Sequence, residues 1–177
     1  MPLSECCEIL DKMRKPITKS QRNNGKYPYY GANGIQDYVS DYIFDGDFVL
    51  VGEDGSVMTS NGNPVVTFAS GQIWVNNHAH IIREVDGVLL RYLYFYLQTI
   101  DISSLVHGNI PKLTQGDFRE LSIVVPSILE QKRIVEILNK LNAICCDLAN
   151  GLPAEIEARQ KQYEYYREKL LTFKKKV

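Results

Sequence analysis

The pattern of apolar and polar positions divides this 177-residue chain near residue 126. Upstream, apolar residues come in short bursts separated by Gly, Asn, Asp and Tyr. Five bursts have strand character: Phe48–Val51, Val65–Phe68, Ile73–Val75, His80–Ile82 and Ser122–Val125. Each is short, β-branched or aromatic, and bounded by turn residues. The dipeptides Asn33-Gly34, Asp45-Gly46, Asp54-Gly55, Asn61-Gly62 and Asp86-Gly87 predict turns. One helix interrupts the series, because Leu89, Leu93, Tyr96 and Leu97 share a helical face. Downstream the period becomes helical. Ile134, Leu138, Leu141, Cys145 and Leu148 step by four and three. Asn150-Gly151-Leu152-Pro153 interrupts, and Ile156, Arg159, Tyr163, Tyr166, Leu170 and Phe173 resume the step. These are coiled-coil seams, carried on one kinked helix or on two.

The predicted fold is α+β: a loop-rich, mostly β domain with a few helices over residues 1–127, then a long coiled-coil-type helical region over 128–177. A heptad stripe cannot hide its apolar face alone. It packs back on its own body or against another chain. The assembly reading makes Ile134, Leu138, Leu141, Ile156, Tyr163, Tyr166, Leu170 and Phe173 a dimer interface, with tyrosines that bury area yet keep a hydroxyl for a partner.

Composition narrows the class. Hydrophobic residues are 45% and charged residues 23%, as in ordinary globular proteins. Net charge is −1, which excludes a strongly basic or acidic binder. No apolar run reaches a membrane span, and the N-terminus lacks a signal-peptide pattern, so the expected location is the cytoplasm. The cysteines form two adjacent pairs, Cys6-Cys7 and Cys145-Cys146, without disulfide or zinc spacing; they read as core-filling thiols in a reducing compartment. Local charge says more than the total. Residues 11–26 hold six bases (Lys12, Arg14, Lys15, Lys19, Arg22, Lys26) against one acid, Asp11, whereas residues 27–82 hold no Lys or Arg and six acids. A basic strip beside an acidic body predicts a localised anion-facing edge.

Enzymatic signatures are missing. There is no phosphate-cradling glycine loop, no HExxH and no GxSxG. His78 and His80 share one side of a strand, but without an evident third ligand they read as polar contacts and not as a metal site. No cofactor is expected. The block Tyr27-Pro28-Tyr29-Tyr30-Gly31-Ala32-Asn33-Gly34-Ile35 follows the basic strip directly. Small residues admit close backbone approach, Asn bonds base edges, and Tyr bonds phosphates or stacks. The bland alternative is a Tyr-packed turn in the core.

That block extended to Gln36, with Tyr42–Gly55, Trp74–His80, Gly108–Leu113, Val124–Val135, Gly151–Ile156 and Gln162–Phe173, resembles the specificity subunits of type I restriction–modification systems over essentially the whole chain. The resemblance implies a non-catalytic, target-recognition domain that reads double-stranded DNA. It also implies partners: the modification methyltransferase and the restriction endonuclease/translocase. Typical members carry two recognition domains and two helical regions. One of each is present here, which implies a half-subunit, either acting as a homodimer or as one half of a split or truncated gene. Expected phosphate contacts are Lys12, Arg14, Lys15, Lys19 and Arg22; expected groove contacts are Tyr29, Tyr30, Asn33, Asn76, Asn77, His78 and Lys112. The rival reading is a coiled-coil scaffold that binds proteins and does not read DNA.

Overall fold

The computed structural model describes residues 1–106, 108–143, 155, 161, 162 and 165. Its backbone contacts group into two units, Met1–Val135 and Glu136–Val177.

The first unit is built on a six-stranded mixed sheet: β1 (Glu8–Ile9), β2 (Asn24–Gly31), β3 (Gly34–Val39), β4 (Phe44–Gly52), β5 (Val66–Val75) and β6 (Ala79–Arg83), in the order β1-β6-β4-β5-β2-β3. All pairings are antiparallel except β2 with β5, where Tyr29 lies beside Trp74 and Tyr30 beside Val75. Central β4 is buried from Phe48 to Gly52. Alternation along a strand sends Val49 and Val51 into one apolar cluster and Phe48 and Leu50 into the other, so the sheet is packed on both faces. Two short helices cover the first cluster. Leu90, Leu93 and Leu97 of α1 (Leu90–Leu97) and Phe118 of α2 (Gln115–Glu120) pack there with Leu3, Cys6 and Cys7. Each such fully buried side chain is worth about 1.5–3 kcal/mol. Cys6 and Cys7 are free, buried thiols that fill space, and burial pushes the Cys7 thiol up to about 12.

Several boundaries differ from expectation. The two bursts around Val65–Phe68 and Ile73–Val75 are one strand, β5, continuous through Gly71. Asp45-Gly46 is inside β4 and makes no turn: Gly46 (φ +136°) faces Gly71 (φ +83°) across the ladder, a conformation that glycine alone adopts without strain. Ser122–Val125 is not a strand. Only Ser122 bridges, to Pro2, because the chain beyond Pro2 curls into a 3₁₀ turn over Leu3–Glu5. Strands β1 to β3 escape the sequence pattern. Pro28 reads as a breaker, yet β5 pairs only with Tyr29 and Tyr30 of β2, so no ladder bond from residue 28 to β5 is missed.

The chain start is tied to residues 121–123. The Met1 ammonium donates to the Ile123 carbonyl (2.9 Å), Ile123 N–H to Met1 (2.8 Å), and Leu3 N–H to Leu121 (2.9 Å). Residues 128–135 are helical and held by Gln131, a fully buried amide. Its Oε1 accepts from Leu89 N–H (2.9 Å), and its Nε2 donates to the Gly87 (3.0 Å) and Pro126 (2.9 Å) carbonyls.

In the second unit, residues 136–143 are helical, with a Glu136–Lys140 ion pair one turn apart (2.7 Å) and Ile137 and Leu141 exposed. Most of the predicted seam lies outside the described residues.

Candidate nucleic-acid interface

Five chain segments meet at one end of the sheet: the start of the basic strip at 11–15, the β2–β3 hairpin tip at 31–34, and the loops at 53–55, 76–78 and 108–113; residues 17–22 run on past Tyr29 and Asp37 toward Asn23, Val39 and Ser40. Backbone bonds stitch them together. Glu53 N–H donates to His78 O (2.8 Å), Asn76 N–H to Tyr30 O (3.0 Å), Gly55 N–H to Pro111 O (3.0 Å), Leu113 N–H to Glu53 O (2.8 Å), and Lys15 N–H to Val75 O (3.3 Å). The hairpin tip approaches β4 closely: a Cβ on Gly52 would lie 2.5 Å from Ser56 O and 3.1 Å from Ala32 O. A side chain is therefore excluded at 52 by backbone on both sides.

Beneath these loops lies a buried ionic cluster. His80 is fully buried; its Nδ1 bonds Asp11 Oδ2 (2.6 Å), its Nε2 bonds the Leu113 carbonyl (3.0 Å), and its ring stacks on Phe118 at 4.2 Å. Both ring nitrogens face acceptors, so both bonds form when the ring carries two protons. Asp11 also accepts from Ile81 N–H (3.0 Å) and Gln115 Nε2 (3.1 Å), with Arg14 Nη2 at 3.5 Å. Burial opposes ionisation of Asp11. The bond and charge of His80, the Ile81 N–H and the Arg14 guanidinium outweigh it and hold the carboxyl below its ordinary range. Arg14 spans the cluster: Nη1 donates to Glu53 Oε2 (2.6 Å) and to the Ala79 carbonyl (2.6 Å). Lys112 Nζ reaches Glu53 Oε1 at 3.3 Å.

Asp11, Glu53 and His80 bring ligand-type atoms within 4.8 Å of one another. A metal would have to share that space with the Arg14 guanidinium and the Lys112 ammonium, and would compete with four donors for Asp11. The residues suit an ion-pair latch and do not fit a metal centre.

The latch redistributes the predicted contacts. Lys12, Lys15 and Lys19 are exposed, as are Asn33, Asn77, His78 and Lys112. Arg14 does not reach outward; its guanidinium is spent on Asp11 and Glu53, and its side chain is only 10% exposed. Arg22 is partly buried, paired with Asp37 (3.2 Å) and lying 4.2 Å above the Tyr29 ring. The Tyr38 N–H, and then Arg22, hold Asp37 below the usual carboxylate range. Tyr29 and Tyr30 are core residues, 1% and 7% exposed, with the Tyr29 hydroxyl at the Ile17 backbone. Asn76 is also interior: its Nδ2 donates to Gln36 Oε1 (3.2 Å), and its Oδ1 accepts from His78 N–H (2.8 Å). Surface contact by Arg14, Tyr29, Tyr30 and Asn76 is thus replaced by a bracing role. His78 pairs with Asp54. Of the seam, Ile134 packs on the core of its own unit; Leu138 and Leu141 fall in the second unit; Ile156, Tyr163, Tyr166, Leu170 and Phe173 lie outside the described residues.

Sequence reasoning missed Asp11, Glu53, His80 and Gln115 as the latch. The sole acid in a basic strip and a histidine inside an apolar strand were the available signals.

A family model for the type I restriction modification DNA specificity domain matches residues 1–158. A Haemophilus influenzae protein named as a type I restriction enzyme specificity subunit is 41% identical over 175 residues, which cover 96% of this chain and 45% of the relative. The chain thus spans about half the length of that relative. The crystal structure of the S subunit of a type I restriction-modification system from M. genitalium has a TM-score of 0.67 at 20% identity, over 95% of this chain and 44% of the other. A chain from a structure of a type I R-M system has a TM-score of 0.69 at 22% identity, over 93% and 43% respectively. These two likenesses establish the fold, and the family match over residues 1–158 places the chain in the type I restriction–modification DNA specificity family.

Proposed function

We propose that this chain is a non-catalytic DNA-reading subunit that recognises one half of a bipartite site and brings a methyltransferase and an endonuclease/translocase to it. The observation that carries the reading is that Lys12, Lys15, Asn33, Asn77, His78 and Lys112, all exposed, lie on segments that meet at one end of the sheet, where a buried latch ties the strip at Asp11 and Arg14 to the 53–55, 76–80 and 112–113 segments. Lysines suit phosphates and set affinity; amide and imidazole groups suit base edges and set sequence. The 128–177 helical region joins two recognition units in this reading, either two copies of this chain on a symmetric pair of half-sites or this chain and the other half of a split or truncated subunit.

The triple variant K12A/K15A/K19A tests the DNA role. Binding weakens alike on all sequences, and the slope of log K against log salt flattens by about 0.9 for each phosphate contact removed. An unchanged slope takes the strip out of the interface. Deleting the gene and mapping methylated bases tests the specificity role: a bipartite motif disappears if the reading is right, and the methylome is unaltered if the chain is a protein-binding scaffold. Tyr166→Asp with Leu170→Asp yields monomers by light scattering while the sheet domain keeps its circular dichroism; a persistent dimer rejects the seam.

A further inference from the structure

Ile110 is 71% exposed. Single exposed apolar residues are common, and exposure alone says little. What distinguishes Ile110 is how its loop is held. Pro111 O accepts from Gly55 N–H (3.0 Å), Asp54 and Lys112 form a backbone bridge, and Leu113 is bonded on both its N–H (Glu53 O, 2.8 Å) and its carbonyl (His80 Nε2, 3.0 Å). A slack loop would let an isoleucine fold down onto nearby apolar surface. Here the segment immediately after residue 110 is fixed to the latch, and the side chain stays out in water beside Lys112.

We propose that Ile110 is a specificity-determining residue that makes apolar contact with the C5-methyl group of a thymine in the recognised half-site. This rests on the DNA-reading function above. Lys112 follows it by two residues, and the Asp54–His78 pair ties the 108–113 loop to the 76–78 turn. A duplex held by the exposed lysines of this end therefore meets Ile110 together with Asn77 and His78. Methyl recognition by an apolar side chain, flanked by donors and acceptors for neighbouring base edges, is the pattern of direct major-groove readout. Insertion between base pairs is the less suited mode, because a wedge needs apolar neighbours to cover the bases it unstacks. Along the chain Ile110 is flanked by Asn109, Pro111 and Lys112, of which only Pro111 is apolar.

The test uses the full chain and a duplex carrying the motif found by methylation mapping. Each thymine of the half-site is replaced in turn by deoxyuridine, which lacks only the methyl group, and binding is measured by fluorescence anisotropy. Wild-type protein loses about fourfold at one thymine, the worth of one buried methyl-sized group. Ile110→Ala loses a similar factor on the thymine duplex and nothing more at that deoxyuridine. Ile110→Val, which keeps a branched apolar tip, retains part of the thymine preference. The inference fails if Ile110→Ala keeps the wild-type deoxyuridine profile, if no thymine position is sensitive, or if 2-aminopurine beside the site reports unstacking that Ile110→Ala abolishes. Wild-type protein that binds the duplex with a steep salt slope in those cases leaves the DNA-reading function standing; absence of salt-dependent binding removes both.

Discussion

Replacing Asp11 by Asn keeps its shape and removes its charge, leaving Glu53 as the one carboxylate of the latch facing Arg14 and His80. Breaking one side of a buried pair costs about 3–5 kcal/mol. The acid limb carries the sign. The folded-state value of Asp11 lies below its ordinary 3.8, so its contribution is fully present above that pH and is lost as pH falls through the lowered value. Thermal melts between pH 2.5 and 6 are expected to steepen below about pH 4 in wild type and to be flatter in Asp11→Asn. Gln131→Leu fills the same space but strands Leu89 N–H and two carbonyls. We expect a loss of at least about 2 kcal/mol in urea unfolding, with an unchanged slope. Such residues were hard to read in the sequence. A lone Asp among lysines looks like surface charge, and only pairing across 69 residues turns it inward. Arg14 was misread for the same reason, since spacing shows charge density but not which cation is captured.

At the scale of elements, the most regular pieces were the legible ones. β4 and β6 announce themselves by β-branched runs, and α1 by its apolar face, because local pattern and tertiary burial agree there. The β2–β3 hairpin was not legible: polar residues fill its stem and Pro28 interrupts it, so its ladder is dictated by neighbours and not by propensity. The Asn33-Gly34 turn within it was. Gly34 has φ +86° with open space where a Cβ would stand, so Gly34→Ala pays only backbone strain, about 1–2 kcal/mol. Gly52→Ala meets backbone oxygens on two sides and is expected to be the more destabilising of the two. Paired chemical-denaturation curves check the order. Of the predicted helical region, residues 128–143 are helical as the period there expects; the rest of the seam lies almost wholly outside the described residues.

At the scale of the whole domain, the first residues join the last. Met1 and Leu3 bond residues 121 and 123, and Asp11 bonds Gln115. Contacts this distant in sequence slow folding, and stopped-flow refolding of the sheet domain is expected in the millisecond-to-second range. There is also an order imposed during synthesis. Within the sheet domain, residues 1–15 are synthesised long before their partners at 75–81 and 115–123. Until residues 75–81 have emerged, the strip lacks the Val75 carbonyl that Lys15 bonds and the His80 and Ile81 partners of Asp11, and until residue 115 it lacks the amide of Gln115. The cationic strip is therefore exposed on the nascent chain well before the loops that give it selectivity exist, and the maturing polypeptide passes through a stage at which it attracts polyanions indiscriminately.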